Sequence, residues 1–577
     1  MLNKNTTIKG LSVILAAFLS FFGLLSGQAT AQSLRVGINL NWVQNGTPEQ
    51  PFLNIFKTGS GWLTQVAGST SPWNTGEQAK LAVDSNGYPT SLTPVGGGVF
   101  NAVGVVLLGG ITPSGLSYPY PPGNYVVLYD GSGTLQYFYD AAGNRTTGTG
   151  RDVITINSPG YNGIVIQITA TTAGNNLRNI RLVYSPDSTS SVVGTNESLL
   201  NSGEIFNPTF ISRFSNFDTF RFVDWTWNFL QPLVGSWTAR PTPSQAFWGI
   251  GKGLPSYNGG YSFGIGVPYE VQIALCNETK RNGWFNLPYN ADDIHISNLA
   301  SLLHSTLNAP LLAYIELNDE PWVGWPSDFS GTNGAPAPSY YVAQGAAVWG
   351  TGSSYLLTGM SWYTKRVSFI ADTFASIWGS DFSRVIPLVN SQAANSNVAK
   401  TFTGGNGNLY GAISKNVKAL AIAPYFGASV PLSWTTQPDG GLSYLFTEIM
   451  SGVGTSIWSG SSPGGVIQQS VRWVKANKSV ADAHGLQLLA YEGGQGFGLS
   501  SDPSALTNLY MTANRDSRMG TAYSTYLSQM ASTGIVLLNH YNSVRSYSQY
   551  GSWGTLENVL QTSSPKYDAL VSFIAAH

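Results

Sequence analysis

The chain has 577 residues, more than one ordinary core of about 100–200 residues can organise. Only 10% of them are charged, against about 25% in an average domain, and the formal net charge is -1. That balance excludes a phosphate-backbone binder, which needs a basic excess, and a self-repelling disordered chain; no nucleic-acid partner is expected.

The first residues read as a secretory signal at 1–31. Lys4 and Lys9 precede an apolar run from Leu11 to Leu25, and Ala29-Thr30-Ala31 forms a small-x-small cleavage site. The competing reading is a membrane anchor, but the run falls short of the ~18–20 apolar residues a spanning helix needs. Export to the periplasm or the medium of a bacterium is expected, with no membrane partner after cleavage.

Residues 32–49 hold a strand, Arg35 to Asn41, read as the first strand of a barrel. Residues 50–190 then lose helical periodicity. Short β-rich runs (Tyr125 to Tyr129, Val153 to Ile156, Ile164 to Thr169, Ile180 to Tyr184) alternate with turn residues, the pattern of a β-sandwich. Asp130-Gly131 and Asn162-Gly163 read as hairpin turns. This insert either braces the barrel or binds a polysaccharide through Trp62, Trp73, Tyr125, Tyr137 or Tyr139. A Ser- and Thr-rich stretch from Pro186 to Glu197 reads as a linker.

From 200 to 577 apolar runs alternate with helix candidates. The runs are Phe220 to Trp225, Val271 to Cys276, Leu311 to Glu316, Val385 to Val389, Ala419 to Ala423, Leu486 to Tyr491 and Ile535 to Leu538. Tyr363 to Trp378, Val466 to Val480 and Ala522 to Ala531 are helix candidates. Continuous apolar strands suit a sheet covered on both faces. With the strand at 35–41 they make eight, which predicts an α/β fold: a (β/α)8 TIM barrel with an all-β sandwich inserted after the first barrel strand. A doubly wound sheet competes, but no Gly-rich phosphate loop follows a strand.

Reactive groups of such a barrel stand at the C-terminal strand ends. The predicted ends carry Asp224, Asn277, Asn318-Asp319-Glu320-Pro321-Trp322, Tyr425, Tyr491-Glu492 and His540. Glu320 and Glu492 lie far apart in the chain, yet a closed barrel brings both to one mouth. Two carboxylates flanking a glycosidic bond are what glycoside hydrolysis needs, one protonated and one ionised, about 5–5.5 Å apart in the retaining mechanism. Strict alternation would put Glu316, Asn318 and Glu320 on one face and Asp319 on the other, with Glu316 deeper and ion-paired. No cofactor or metal is expected: Cys276 is the single cysteine and the five histidines are too sparse for a cluster.

These endings resemble the clan A glycoside hydrolases, retaining β/α-barrel enzymes. Phe220-Arg221-Phe222-Val223-Asp224-Trp225, Pro268-Tyr269-Glu270, Trp284-Phe285-Asn286-Leu287-Pro288, Ala423-Pro424-Tyr425-Phe426-Gly427, Tyr491-Glu492-Gly493-Gly494 and Tyr550-Gly551-Ser552-Trp553-Gly554 are similar to bacterial secreted cellulase-like or cellulose-binding-like proteins. The resemblance implies Glu320 as general acid/base and Glu492 as nucleophile. It implies Tyr425 as a donor to the nucleophile, and His540 and Trp553 at the sugar, with Trp322, Trp225 and Trp284 as stacking platforms. The clan places Asn before the acid/base to bond the sugar 2-hydroxyl; here Asp319 stands there and Asn318 precedes it. The expected function is hydrolysis of a polysaccharide or oligosaccharide by double displacement. The alternative is a non-catalytic carbohydrate-binding protein on a barrel scaffold.

Overall fold

The computed structural model describes residues 33–143, 145–226, 235–249, 266–321, 336–427, 429–452, 463–498 and 501–577. The signal segment, Trp322 and most of the long connections after Trp225 and Glu320 lie outside the described residues. No described helix is long and apolar enough to cross a membrane.

The first strand, β1 (Arg35–Asn39), is followed by eight strands of a separate module: β2 (Leu63–Gln65), β3 (Ala102–Leu107), β4 (Gly123–Asp130), β5 (Gly133–Tyr139), β6 (Arg145–Gly148), β7 (Arg151–Ile156), β8 (Ile164–Thr171) and β9 (Arg178–Tyr184). They form two antiparallel sheets, ordered β2-β3-β8-β5 and β6-β7-β4-β9. Val103, Val105, Ile166 and Ile168 of one sheet meet Tyr125, Val127, Ile154 and Leu182 of the other in a shared core. The predicted sandwich is therefore present, inserted after the first barrel strand. Its turns differ from expectation. Asp130-Gly131 joins β4 to β5 and Asn162-Gly163 leads from β7 to β8, and each pair of strands belongs to different sheets. Both are corners between layers rather than hairpins; the left-handed Gly131 (φ 88°) and Gly163 (φ 68°) make the sharp reversals.

The remaining strands are β10 (Thr219–Arg221), β11 (Asn282–Leu287), β12 (Ala313–Leu317), β13 (Val385–Asn390), β14 (Ala419–Ile422), β15 (Gln487–Ala490) and β16 (Leu537–His540). With β1 they close an eight-stranded parallel barrel, β16 pairing back onto β1. The predicted α/β barrel is thus the fold. One predicted strand is not: Val271 to Cys276 belongs to the helix Tyr269–Thr279, and the third barrel strand follows it at 282–287. A short run of buried apolar residues satisfies either a strand or a buried helix, and periodicity alone does not separate them.

Side-chain alternation divides each strand between two environments. Trp284, Tyr314, Leu388, Ala421, Leu489 and Leu537 fill the barrel interior. Phe285, Ile315, Val389, Leu420, Leu488 and Leu538 face the helices in the larger outer core. Above the interior apolar layer the inward positions turn polar: Asn39, Arg221, Asn286, Glu316 and Asn390, all fully buried.

Candidate active site

Arg221 is the hub of this polar layer. Its guanidinium donates to Glu316 from Nε at 2.8 Å and from Nη2 at 2.6 Å, to Asp319 at 2.7 Å, to Glu492 at 2.7 Å and to the Asn39 side-chain oxygen at 3.0 Å. Its flat face lies over the Tyr491 ring, 4.9 Å from the centroid. Burying a guanidinium this completely requires such partners. An arginine inside the apolar run Phe220-Arg221-Phe222 is the sequence signal for it. Glu316 is equally buried and also accepts from Asn286 at 2.7 Å, Asn390 at 2.5 Å and the Trp284 indole. So Trp284 belongs to the interior packing and is not a stacking platform. Trp225 is also fully buried.

The predicted alternation at the end of β12 fails. The strand ends at Leu317, and Asn318 (φ 59°) and Glu320 (φ 40°) adopt left-handed backbone conformations, uncommon for residues with a side chain. This brings Asp319 and Glu320 to the same mouth: Asp319 bonds Arg221, and Glu320 accepts from the Tyr491 hydroxyl at 2.9 Å. Asn318 turns inward, 1% exposed, its carbonyl accepting from Asn390 at 3.2 Å. Glu492, just past β15, accepts from Arg221 on one oxygen and from the Tyr425 hydroxyl at 2.8 Å on the other. The Asp319 and Glu492 side chains keep 20% and 11% of their surface in solvent, so both reach the opening.

Trp553 stands beside them. Its ring meets Tyr425 edge-on at 5.5 Å and Tyr541 at 5.9 Å, and its indole N–H is fixed on the Tyr550 carbonyl at 3.0 Å. Tyr541 donates to Asp224 at 3.1 Å. Asp224 is 2% exposed, beneath the rim rather than on it. Near it lies Glu49, fully buried, taking the Asn41 N–H at 3.2 Å and the Ser543 hydroxyl. Burial pushes Glu49 up to about 8 and Asp224 up to about 7, each raised further by a neighbouring carboxylate. Nothing in the sequence marks Glu49, a carboxylate in a polar loop.

Two expected contacts are corrected. Asn277 lies on the helix Tyr269–Thr279, where its amide caps the Thr306 carbonyl at 2.8 Å and takes the Asn308 N–H at 2.9 Å, outside the barrel. Its segment is a helix rather than a barrel strand, so it stands outside the site. His540 is 0% exposed and bonded to the Tyr523 hydroxyl at 2.8 Å. Alternation along β16 sends Leu537 inward and His540 toward the helices, so the imidazole props the strand end from behind.

Electrostatics push both acids upward. Burial, then the Asp319 charge, raises Glu320 to about 7, with the Tyr491 hydroxyl opposing. Burial and Asp319 also push Glu492 upward, while Arg221 and Tyr425 pull it back toward the ionised form. What distinguishes the two is their hydrogen bonding: Glu320 takes a phenol alone, and Glu492 takes a guanidinium and a phenol.

No family model matches the chain, and no curated protein does. The similar solved structures are mostly clan A glycoside hydrolases of families 5, 10, 26 and 51. They include a 4-O-alpha-L-rhamnosyl-beta-D-glucuronidase from Fusarium oxysporum 12S, at 15% identity and TM-score 0.31 over 53% of this chain and 52% of that one. A GH5-4 broad specificity endoglucanase from Clostridium longisporum is 11% identical with TM-score 0.34, over 67% of this chain and 92% of the other. A GH51 arabinofuranosidase from Xanthomonas axonopodis pv. citri is 9% identical with TM-score 0.36, over 64% and 66%. The chain spans about half the length of the first of these. Likeness at this level leaves activity and substrate to the side chains.

Proposed function

We propose that this chain is an exported retaining glycoside hydrolase acting on a polysaccharide or oligosaccharide. Export rests on the N-terminal signal sequence. The observation that carries the activity is the unequal holding of two carboxyls at one barrel mouth: Glu320 on a phenol alone, Glu492 on a guanidinium and a phenol. In this reading Glu492 attacks the anomeric carbon and forms a glycosyl ester, while Glu320 gives its proton to the departing oxygen. Glu320 then takes a proton from the water that opens the ester. Tyr425 and Arg221 position Glu492, and Trp553 offers a ring to the sugar. The Asp319 side chain has no amide N–H, so in its ionised form it can only accept from a sugar hydroxyl.

The test is turnover of aryl glycosides and neutral polysaccharides by the wild type and by Glu492→Ala. We expect the variant to lose at least about a thousandfold in kcat, and azide to restore aryl release with a glycosyl azide of inverted configuration. Equal turnover by both proteins removes Glu492 as nucleophile. The second reading, a non-catalytic glycan binder, is favoured by Asp319, whose ion pair with Arg221 replaces the clan's amide. A wild type that binds glycans and cleaves none would establish it.

A further inference from the structure

We propose that the groove between the loop after β1 and the sandwich is a second binding site for a neutral glycan chain. The groove encloses ≈ 580 Å³, within the range of about 300–1,000 Å³ typical of ligand sites. Gln44, Asn45, Ser60, Trp73, Tyr139 and Tyr161 line it, and no charged side chain is among its described lining residues. A charge-free lining offers nothing to a phosphate, a metal ion or an acidic polymer. Amides, hydroxyls and flat rings are what sugar hydroxyls and sugar faces bind.

The rings are not there for packing. Trp73 is 43% exposed, Tyr139 38% and Tyr161 68%. The module's other candidate rings serve its interior: Trp62 and Tyr125 are buried in its core, and Tyr137 is bonded to Asp152 at 2.7 Å. Trp73 meets Tyr139 edge-on, centroids 5.7 Å apart, so the pair holds a fixed shape with no ligand bound. Tyr139 takes a left-handed backbone at φ 57°, a conformation costly for an aromatic residue and one that closes β5 with the ring at the groove. One wall of the groove comes from the segment that leaves the barrel after β1. Gln44, Asn45 and Gly46 follow β1, and the intervening Asn41 is bonded to Ser543 and Asn542 past the end of β16. Binding here does not depend on Glu492 being the nucleophile.

The experiment uses the full chain carrying Glu492→Ala, electrophoresed through gels containing barley β-glucan, xyloglucan, arabinoxylan or galactomannan, with polygalacturonate as the charged control. We expect retardation by at least one neutral polymer and none by polygalacturonate. Adding Trp73→Ala and Tyr161→Ala should weaken the apparent Kd by about tenfold or more, as truncating stacked anchors does. Tyr161→Ala alone, at a site too exposed to disturb the core, should weaken it in the same direction with an unchanged melting temperature. Retardation by no neutral polymer overturns the proposal. So does full retention of binding in the Trp73 and Tyr161 variants, which would confine the glycan to the barrel mouth.

Discussion

Glu316, Asp319 and Glu492 all bond to the Arg221 guanidinium, and Glu320 does not. One positive charge cannot balance four negative ones in so small a space: at 4 Å two like charges near a protein surface cost about 4 kcal/mol. Burial and mutual repulsion raise both Glu320, to about 7, and Glu492, so the pair favours a shared proton, and by hydrogen-bond geometry the group without the guanidinium is its natural seat. As general acid Glu320 must be protonated, so kcat/KM should fall on the alkaline side with that apparent pKa. Asp319→Asn removes the nearest negative charge, which stabilises ionised Glu320 and lowers its pKa. The alkaline limb should move down by about one pH unit. A pH–rate profile from pH 4 to 9 checks this; an unmoved limb would show that burial alone sets the proton. The two acids were legible because strand ends are where a barrel displays them. Arg221 was legible as a charge among phenylalanines, though its partners were not. The double left-handed bend at Asn318 and Glu320 was not, since backbone sign reversals at residues with side chains leave no compositional trace.

At the scale of single elements, the strands set what the interior can hold. β1 lies between β10 and β16 and presents Gly37 inward. A methyl group there would stand 1.9 Å from the Asn539 side-chain oxygen and 2.8 Å from the Thr219 carbonyl oxygen. Glycine is thus required by the approach of neighbouring strands rather than by a turn. Gly37→Ala should cost about 1–3 kcal/mol of unfolding free energy in urea, the range for overpacking a core. Adding Asn539→Ala should recover part of the loss, because the amide is the nearer clash and the backbone carbonyl remains. A single variant as stable as the wild type would mean that Asn539 swings aside without cost. The same alternation accounts for the helix-facing position of His540, which the resemblance placed at the sugar. It does not help with Val271 to Cys276: a helix buried against a barrel and a strand inside one are apolar for the same reason, and only the Trp284-to-Leu287 run, too polar at Asn286 to look like a core strand, was available as the rival.

At the scale of the whole molecule, the chain passes between the outer barrel core and the module core within a few residues at two described places. Phe52 belongs to the barrel core while Ile55 and Phe56 belong to the module; Ala246 and Phe247 belong to the module while Trp248 returns to the barrel. Phe52 meets Trp248 edge-on at 5.0 Å, and Phe247 stacks on Phe56 at 5.2 Å and meets Trp62 at 5.3 Å. Composition announced both cores through turn spacing in one and apolar runs in the other. The crossings were invisible, because a residue donated from one domain to another's core looks like any loop aromatic. Phe247 is fully buried, so Phe247→Ala should cost the module about 3–5 kcal/mol. Since cores that share few side chains open as separate units, the loss should be local. Hydrogen exchange of the backbone amides checks it: protection should drop in β3 and β8 and persist in β12 and β14. If barrel amides lose as much protection as module amides, the two cores form one cooperative unit and the crossings carry their coupling.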